Sequence, residues 1–253
     1  MTLHTTEQLP PSEYEVRIKL FGNFEIENHL GRVAEDNPKR AALSWLLLKY
    51  MVVNRGREVD LDELLGTIWP DERGANAENA ARVRLNRLRT FLKPLGLDGR
   101  RGLVLYHAQK YTLNPLYTIR TDAEEFMELM AALRSCPIDS PSGLELCKKA
   151  LELFRGPYMK HAKKDFWFAG IQEAYDEEFN FLAFNTLERM EATGSDTLLP
   201  LLSQRALDIL PDNLELHKQI LNCFSQHNRE TERKCHTTLL MRAGVVSNWL
   251  NAM

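Results

Sequence analysis

The sequence predicts an α+β N-terminal domain of the winged helix-turn-helix class, followed by an all-α domain of helical hairpins like those of tetratricopeptide repeats (TPR-like). Three observations lead to this prediction. Short alternating segments rich in β-forming residues precede three helices. The third helix is basic and is followed by a β-hairpin. Beyond residue 120 the periodicity is helical, and breaks of only a few residues separate the helices.

The composition is that of an ordinary folded protein, with 44% hydrophobic and 26% charged residues among 253. We predict a flexible N-terminus over residues 1–15, the winged helix over residues 16–115 and the helical domain over residues 121–253. No apolar run reaches the length of about 20 residues that spans a bilayer, and residues 1–11 lack the pattern of a secretory signal. The sequence therefore predicts a cytoplasmic protein without membrane contact.

The first elements of the N-terminal domain are short strands and two helices. Residues 16–26 alternate between apolar and polar side chains and predict two strands, and residues 29–37 contain a weaker third strand. A strongly apolar helix is predicted over residues 39–53. The next helix begins after Asp60, a favourable N-cap, and Glu63 three positions later is close to the capping-box pattern.

The third helix, predicted over residues 76–92, has one apolar face and one polar face. The apolar positions form a narrow seam made of Ala81, Leu85, Leu88 and Leu92. The opposite face carries Val83, Asn86, Arg87 and Thr90, and it is flanked by Arg82, Arg84 and Arg89. In the DNA major groove, arginine binds guanine, amides bind adenine and methyl groups contact thymine. We therefore predict that the first four residues read bases and that the flanking arginines reach bases or phosphates.

Positive charge is concentrated around this helix. The formal net charge of the chain is −3, but residues 82–110 contain eight lysines and arginines and one aspartate. Contact with phosphates requires such a block, although a solvated basic helix face explains the charge equally well. Residues 103–114 then predict a β-hairpin, the wing, which reaches the DNA backbone or minor groove. The candidates for backbone or wing contacts are Lys39, Arg40, Arg100, Arg101, His107 and Lys110.

The sequence after residue 120 predicts a series of helices. They are expected over residues 122–133, 142–154, 166–192, 196–210, 213–226 and 230–242, with a short piece over 245–253. This part of the chain is acidic, because residues 116–253 contain 20 acidic and 15 basic residues. We expect it to contact protein partners and not DNA.

Nothing in the sequence predicts catalysis. The motifs of serine hydrolases, zinc metalloproteases, P-loop proteins and dinucleotide-binding proteins are missing, so we expect no enzyme activity and no cofactor. The four cysteines form no C-x-x-C pair and are expected to be reduced thiols. Three histidines and two cysteines lie close together in the sequence, namely His217, Cys223, His227, Cys235 and His236. Cys223 and His227 share a helix face, but the spacing matches no common zinc template. We therefore expect packing cysteines beside exposed histidines, and no metal.

Several segments resemble the SARP-like bacterial transcriptional activators, which join an OmpR-type winged helix to a helical bacterial transcriptional activator domain. In the winged helix, the resemblance lies in IKLFGNFEI (18–26), NRGREVDLDELLGTIWPD (54–71) and NAENAARVRLNRLRTFL (76–92). In the helical domain, it lies in residues 121–126, LELFRGPY (151–158) and RALDILPDNLELHKQIL (205–221). The resemblance implies binding to promoter DNA, often at direct repeats, with recruitment of RNA polymerase and self-association on the DNA. It also implies a location in the bacterial nucleoid.

The wing departs from the pattern of this family. The family usually has Gly-Tyr where this chain has Lys110-Tyr111, so the wing turn is expected to differ. A second hypothesis is that the chain is a helical protein-interaction adaptor, whose winged helix contacts proteins and does not bind DNA. The unusual wing and the acidic net charge fit the adaptor, whereas the basic block at residues 82–110 favours DNA binding.

Overall fold

Contacts divide the chain into two compact units. Among the residues that the structure describes, the first unit consists of those up to Lys19 together with those of Phe24–Thr121, and the second combines Leu20–Asn23 with those from Asp122 onward. The structure, a computed structural model, describes residues 14–36, 42–72, 74, 76–98, 102–160 and 166–244. None of the helices in these ranges combines the length and the hydropathy that are needed to cross a membrane.

The described part of the first unit contains three α-helices and two small sheets. Its elements are β1 (Glu15–Lys19), β2 (Glu25–Asn28), β3 (Val33–Glu35), α1 (Ala42–Val53), β4 (Val59–Asp60), α2 (Leu61–Thr67), α3 (Ala77–Leu92), β5 (Val104–His107), β6 (Lys110–Leu113) and β7 (Thr118–Thr121). The larger sheet has the order β3-β2-β1-β7, and the smaller has the order β4-β6-β5. β7 pairs in parallel with β1, although most of β7 lies in the interval that the sequence assigned to neither domain.

α1 is apolar on most of its surface because it runs through the core of this unit. Trp45, Leu48 and Met51 are all buried. Lys49 is the charged exception, and its ammonium forms a buried ion pair with the carboxylate of Asp36. The same ammonium lies 5.4 Å from the ring centroid of Phe24. A buried charge of this kind is tolerated only while its partner is present.

α2 begins at the N-cap that the sequence predicts. The side chain of Asp60 accepts a hydrogen bond of 2.8 Å from the backbone N–H of Glu63. The carboxylate of Glu63 binds the guanidinium of Arg57 at 2.5 and 2.8 Å and accepts a hydrogen bond of 2.5 Å from the hydroxyl of Tyr50. The hydrogen bonds from Arg57 lower the pKa of Glu63. These contacts fix the turn between α1 and α2.

The second unit is built from helices that follow one another in hairpins. They are α4 (Asp122–Arg134), α5 (Pro141–Leu153), α6 (Phe166–Thr193), α7 (Leu199–Ile209), α8 (Leu214–Gln226) and α9 (Glu230–Arg242). Neighbours along the chain pack together, with α4 on α5, α7 on α8 and α8 on α9. The winged helix-turn-helix followed by an all-α, TPR-like domain is therefore confirmed. The short piece predicted over residues 245–253 lies outside the described residues.

The segment Leu20–Asn23 is part of the helical unit. The backbone N–H groups of Leu20 and Phe21 donate to the carboxylate of Asp122, at 2.7 and 3.3 Å. The guanidinium of Arg155 donates to the same carboxylate at 3.0 Å. Burial raises the pKa of Asp122 to about 6, and the two N–H groups and Arg155 act in the opposite direction. This carboxylate thus ties the segment to the first turn of α4.

Arginines from later helices cap the C-terminal ends of earlier ones. Arg189 of α6 is buried and donates to backbone carbonyls at the end of α4 and in the turn after it, those of Leu133, Cys136, Pro137 and Ile138. Arg205 of α7 donates at 3.1 Å to the carbonyl of Leu151, in the last turn of α5. These donors satisfy carbonyls that have no partner within their own helix.

Two histidines that the sequence predicted to be exposed are buried in a chain of hydrogen bonds, so that prediction was wrong for them. His217 lies 3.0 Å from the carbonyl of Leu210 through Nε2 and 3.0 Å from Nε2 of His236 through Nδ1. Nδ1 of His236 lies 2.7 Å from the hydroxyl of Ser203. The carbonyl only accepts, so His217 donates to it and accepts from His236, which accepts from Ser203. Burial lowers the pKa of His217 and lowers that of His236 to about 4.

No metal site accompanies these histidines in the part of the chain that the structure describes. No group of three or more His, Cys, Asp or Glu side chains there could hold a metal ion. The hydrogen-bond partners of His217 and His236 are instead each other, a serine and a backbone carbonyl. The two rings therefore serve as packing and hydrogen-bonding groups between α7, α8 and α9.

Candidate nucleic-acid interface

The predicted seam of α3 is buried, and it fixes which face of this helix is available to a partner. Its members are Ala81, Leu85, Leu88 and Leu92. The helix packs against α1, and the rings of Phe91 and Trp45 stack with their centroids 5.8 Å apart. α3 ends at Leu92, just before Pro94, which has no N–H to continue the helical bonds. The opposite face is thereby left exposed.

That exposed face carries all four residues for which base reading was predicted, namely Val83, Asn86, Arg87 and Thr90. No carboxylate among the described residues forms an ion pair with Arg87. The hydroxyl of Thr90 donates a hydrogen bond of 3.0 Å to the backbone carbonyl of Asn86, one turn earlier. The face therefore presents an amide, a guanidinium and two methyl-bearing side chains within two helical turns.

The three flanking arginines differ in their surroundings. Arg82 is exposed and forms a 3.0 Å ion pair with Glu78, four positions earlier on the same helix. Arg84 and Arg89 are half-buried, so less of each side chain is accessible. Arg82 is therefore the most accessible of the three, but a phosphate would have to replace Glu78 as its partner.

The wing is a two-residue hairpin between β5 and β6. Its last cross-strand pair is His107 with Lys110, both exposed, and the turn consists of Ala108 and Gln109. Both turn residues have left-handed backbone conformations, with φ of 49° and 63°. Two consecutive positive φ values are typical of a type I′ turn, which normally uses Asn and Gly. The turn therefore carries backbone strain that glycine would remove.

The wing is held near its tip by β4, the short strand just before α2. β4 pairs with β6, which places Asp60 opposite Lys110. The ammonium of Lys110 also forms a 2.7 Å ion pair with Glu58, just before β4. Glu58 raises the pKa of Lys110, so the side chain stays charged. Lys110 is placed at the wing tip as predicted, but a carboxylate competes with any phosphate for it.

Two acidic residues are features of this surface that the sequence prediction missed. Glu78 lies four positions before Arg82, a helical spacing that indicates an ion pair in the sequence itself. Glu58 lies 52 positions from Lys110, and only the sheet brings them together. The other predicted backbone contacts, Lys39, Arg40, Arg100 and Arg101, lie outside the described residues.

We expect glycine in the wing turn to stabilise the winged helix. Ala108→Gly or Gln109→Gly should raise the free energy of unfolding by about 0.5–1 kcal/mol each, because a left-handed backbone costs a residue with a Cβ about that much or more. The measurement is denaturant unfolding together with hydrogen exchange of the β5–β6 hairpin. Ala132→Gly, on the exposed face of α4, is the matched control and should destabilise by about 1 kcal/mol. Destabilisation by all three substitutions would contradict the strained turn.

Comparison with known proteins gives a match to solved structures and none to sequences. No family model matches the chain, and no curated protein matches it. The fold is similar to that of EmbR. The match is to the structure of Mycobacterium tuberculosis EmbR in complex with a low-affinity phosphopeptide, with a TM-score of 0.60 and 17% sequence identity. It covers 89% of this chain and 58% of the EmbR chain, so this chain spans a little over half the length of EmbR. At this identity the similarity supports the fold alone, a winged helix followed by a helical domain.

Proposed function

We propose that this protein is a sequence-specific DNA-binding regulator of transcription, of the SARP-like type. In this proposal α3 enters the major groove of promoter DNA and the wing contacts the adjacent backbone or minor groove. The protein acts as a non-catalytic activator in the cytoplasm, where it recruits RNA polymerase and needs no cofactor. The similarity to the fold of EmbR supports the arrangement of a winged helix and a helical domain on which the proposal depends.

The observation that carries this proposal is the division of α3 into two faces. One face is a buried apolar seam, and the other exposes Asn86 and Arg87 between Val83 and Thr90. An exposed face made of groups that match base edges, on the third helix of a winged helix, is the arrangement that major-groove readout needs. Arg82 flanks this face on the same helix and Lys110 lies at the wing tip, and at each of them a phosphate can replace the carboxylate partner.

A salt titration of binding to random duplex DNA tests the proposal against the protein-interaction adaptor. The ion pairs of Lys110 with Glu58 and Arg82 with Glu78 are the observations that favour the adaptor, because both cations already have partners. A DNA-binding protein with four or more phosphate contacts should lose affinity by about a hundredfold between about 50 and 200 mM salt. An adaptor should show no DNA binding at the lowest salt, and this result would remove the proposed function.

We expect Arg87→Ala to weaken binding to the preferred DNA site far more than binding to random DNA. An arginine bound to guanine contributes about 1–3 kcal/mol of discrimination, which is about five- to 150-fold in affinity. Lys110→Ala is the control, since a residue that contacts only phosphate should weaken binding to both DNAs alike. The preferred site is obtained by selection from a random DNA pool, and affinities are measured by titration. Equal losses of Arg87→Ala on both DNAs would show that this residue does not read a base.

We also expect two copies to bind adjacent direct repeats cooperatively through the helical unit. Neighbouring sites on one face of DNA lie about 10 base pairs or a multiple of that apart. Insertion of about five base pairs between the repeats rotates the second site to the opposite face and should abolish the cooperativity. Insertion of about ten base pairs is the control, because it restores the face. If the affinity for the second copy is the same in all three DNAs, the proposed self-association on DNA is wrong.

A further inference from the structure

Two methyl-bearing side chains mark the two ends of the exposed face of α3. Val83 is a large apolar side chain, yet 39% of it is exposed. Thr90 lies seven residues later on the same face and is also exposed. An exposed valine has no role in the seam that packs against α1, since that seam consists of other residues. The apolar groups of these two residues are therefore available to a binding partner.

The hydroxyl of Thr90 is already used within the helix. It donates its hydrogen to the carbonyl of Asn86 at 3.0 Å, in the usual back-bond of threonine to the residue one turn earlier. The hydroxyl hydrogen is then not available to a base, and the methyl group remains as the free part of the side chain. Thr90 thus resembles Val83 in the chemistry that it offers to DNA.

The spacing of the two residues corresponds to a short stretch of DNA. Seven residues of an α-helix rise about 10.5 Å, which is two helical turns. In zinc-finger helices, residues about seven positions apart span three successive base pairs. Between Val83 and Thr90 lie Asn86 and Arg87, whose amide and guanidinium match adenine and guanine.

The 5-methyl group of thymine is the apolar feature of the major groove. We propose that α3 reads two thymine methyl groups two to three base pairs apart, one through Val83 and the other through Thr90. Asn86 and Arg87 contact the base edges that lie between these thymines. This inference rests on the proposed function, and it adds the chemical pattern of the DNA site and assigns its two apolar contacts to residues.

Replacement of thymine by deoxyuridine tests the inference, because it removes the methyl group and leaves the base pairing intact. The full-length protein is first used to select its preferred site from a random DNA pool. Each thymine of that site is then replaced singly by deoxyuridine, and affinities are measured. At two positions, two to three base pairs apart, the replacement should weaken binding about fourfold, the effect of one buried methyl-sized group.

Three variants assign each methyl group to its reader. Val83→Ala should bind thymine and deoxyuridine equally at one position and keep the fourfold difference at the other. Thr90→Ser, which keeps the hydroxyl, should lose the difference at the second position only. Thr90→Val, which keeps the methyl group and loses the hydroxyl, should retain the difference between thymine and deoxyuridine at that position. All three substitutions are at exposed positions, and circular dichroism checks that the helices remain folded.

The outcomes separate this inference from the proposed function. If the protein prefers its selected site but binds thymine and deoxyuridine equally at every position, the inference is overturned and DNA reading stands. The inference is also overturned if Val83→Ala and Thr90→Ser both keep the full difference, or if Thr90→Val loses it like Thr90→Ser. If the wild-type chain binds no DNA at low salt, the proposed function fails, and the inference fails with it.

Discussion

Arg189→Met is expected to destabilise the helical unit by about 3–5 kcal/mol. The guanidinium of Arg189 is 1% exposed and donates to Asn185 at 2.7 Å as well as to the carbonyls of Leu133, Cys136, Pro137 and Ile138. Methionine fills a similar volume but donates nothing, so several buried carbonyls would lose their partners. Arg189→Lys should recover little of the loss, because an ammonium cannot reach acceptors arranged around a planar fork.

Hydrogen exchange in α4 and α6, measured together with denaturant unfolding, checks this prediction. Arg134→Met is the matched control, since Arg134 is exposed and pairs with Glu178 at the surface. Its loss should cost less than about 1 kcal/mol. A second test uses Gly143, where a Cβ atom would overlap the guanidinium of Arg189. Gly143→Ala should therefore destabilise the same helices, and a cost below about 1 kcal/mol for Arg189→Met would contradict the capping role.

Phe21→Ala is expected to destabilise the helical unit by about 3–5 kcal/mol, although the residue lies about 100 positions before α4 in the sequence. Phe21 is 1% exposed, and its ring centroid lies 4.0 Å from that of Phe154. The rings of Phe126, Tyr175 and Tyr158 surround it at centroid distances of 5.3, 5.2 and 6.1 Å. Truncation to alanine leaves a cavity among these rings, which cannot collapse to fill it completely.

The location of the effect distinguishes this prediction from ordinary loss of stability in the first unit. Hydrogen exchange should accelerate in α4, α5 and α6, which surround the cavity, more than in α1 and α3. Phe181→Ala is the control, because Phe181 is 38% exposed and should cost less than about 1 kcal/mol. If Phe21→Ala accelerates exchange only in α1 and α3, the assignment of Leu20–Asn23 to the helical unit is wrong.

The amino-acid sequence alone determined the features that depend on local periodicity and local hydrogen bonds. The seam of α3 follows from apolar residues at helical spacing, and the same spacing identifies the residues on the opposite, exposed face. The N-caps at Asp60 and Asn213 are short-range contacts to an N–H three residues later. The hairpin between β5 and β6 follows from two β-rich runs with a short break. Such features depend on residues that are close in the sequence and can therefore be predicted from it.

Only the tertiary structure decided the features that join distant residues. Lys49 interrupts an apolar run in the sequence, and only the fold shows that it is buried against Asp36. The strand pairing of β1 with β7 and the grouping of Leu20–Asn23 with the helical unit each connect positions about 100 residues apart. A short strand or a single buried arginine leaves no periodic pattern in the sequence. Its partner is set by the packing of the whole chain, so the sequence near it does not identify that partner. The four base-reading candidates can be identified from the helical periodicity of the sequence alone. Only the sheet shows that the carboxylate of Glu58 lies beside Lys110.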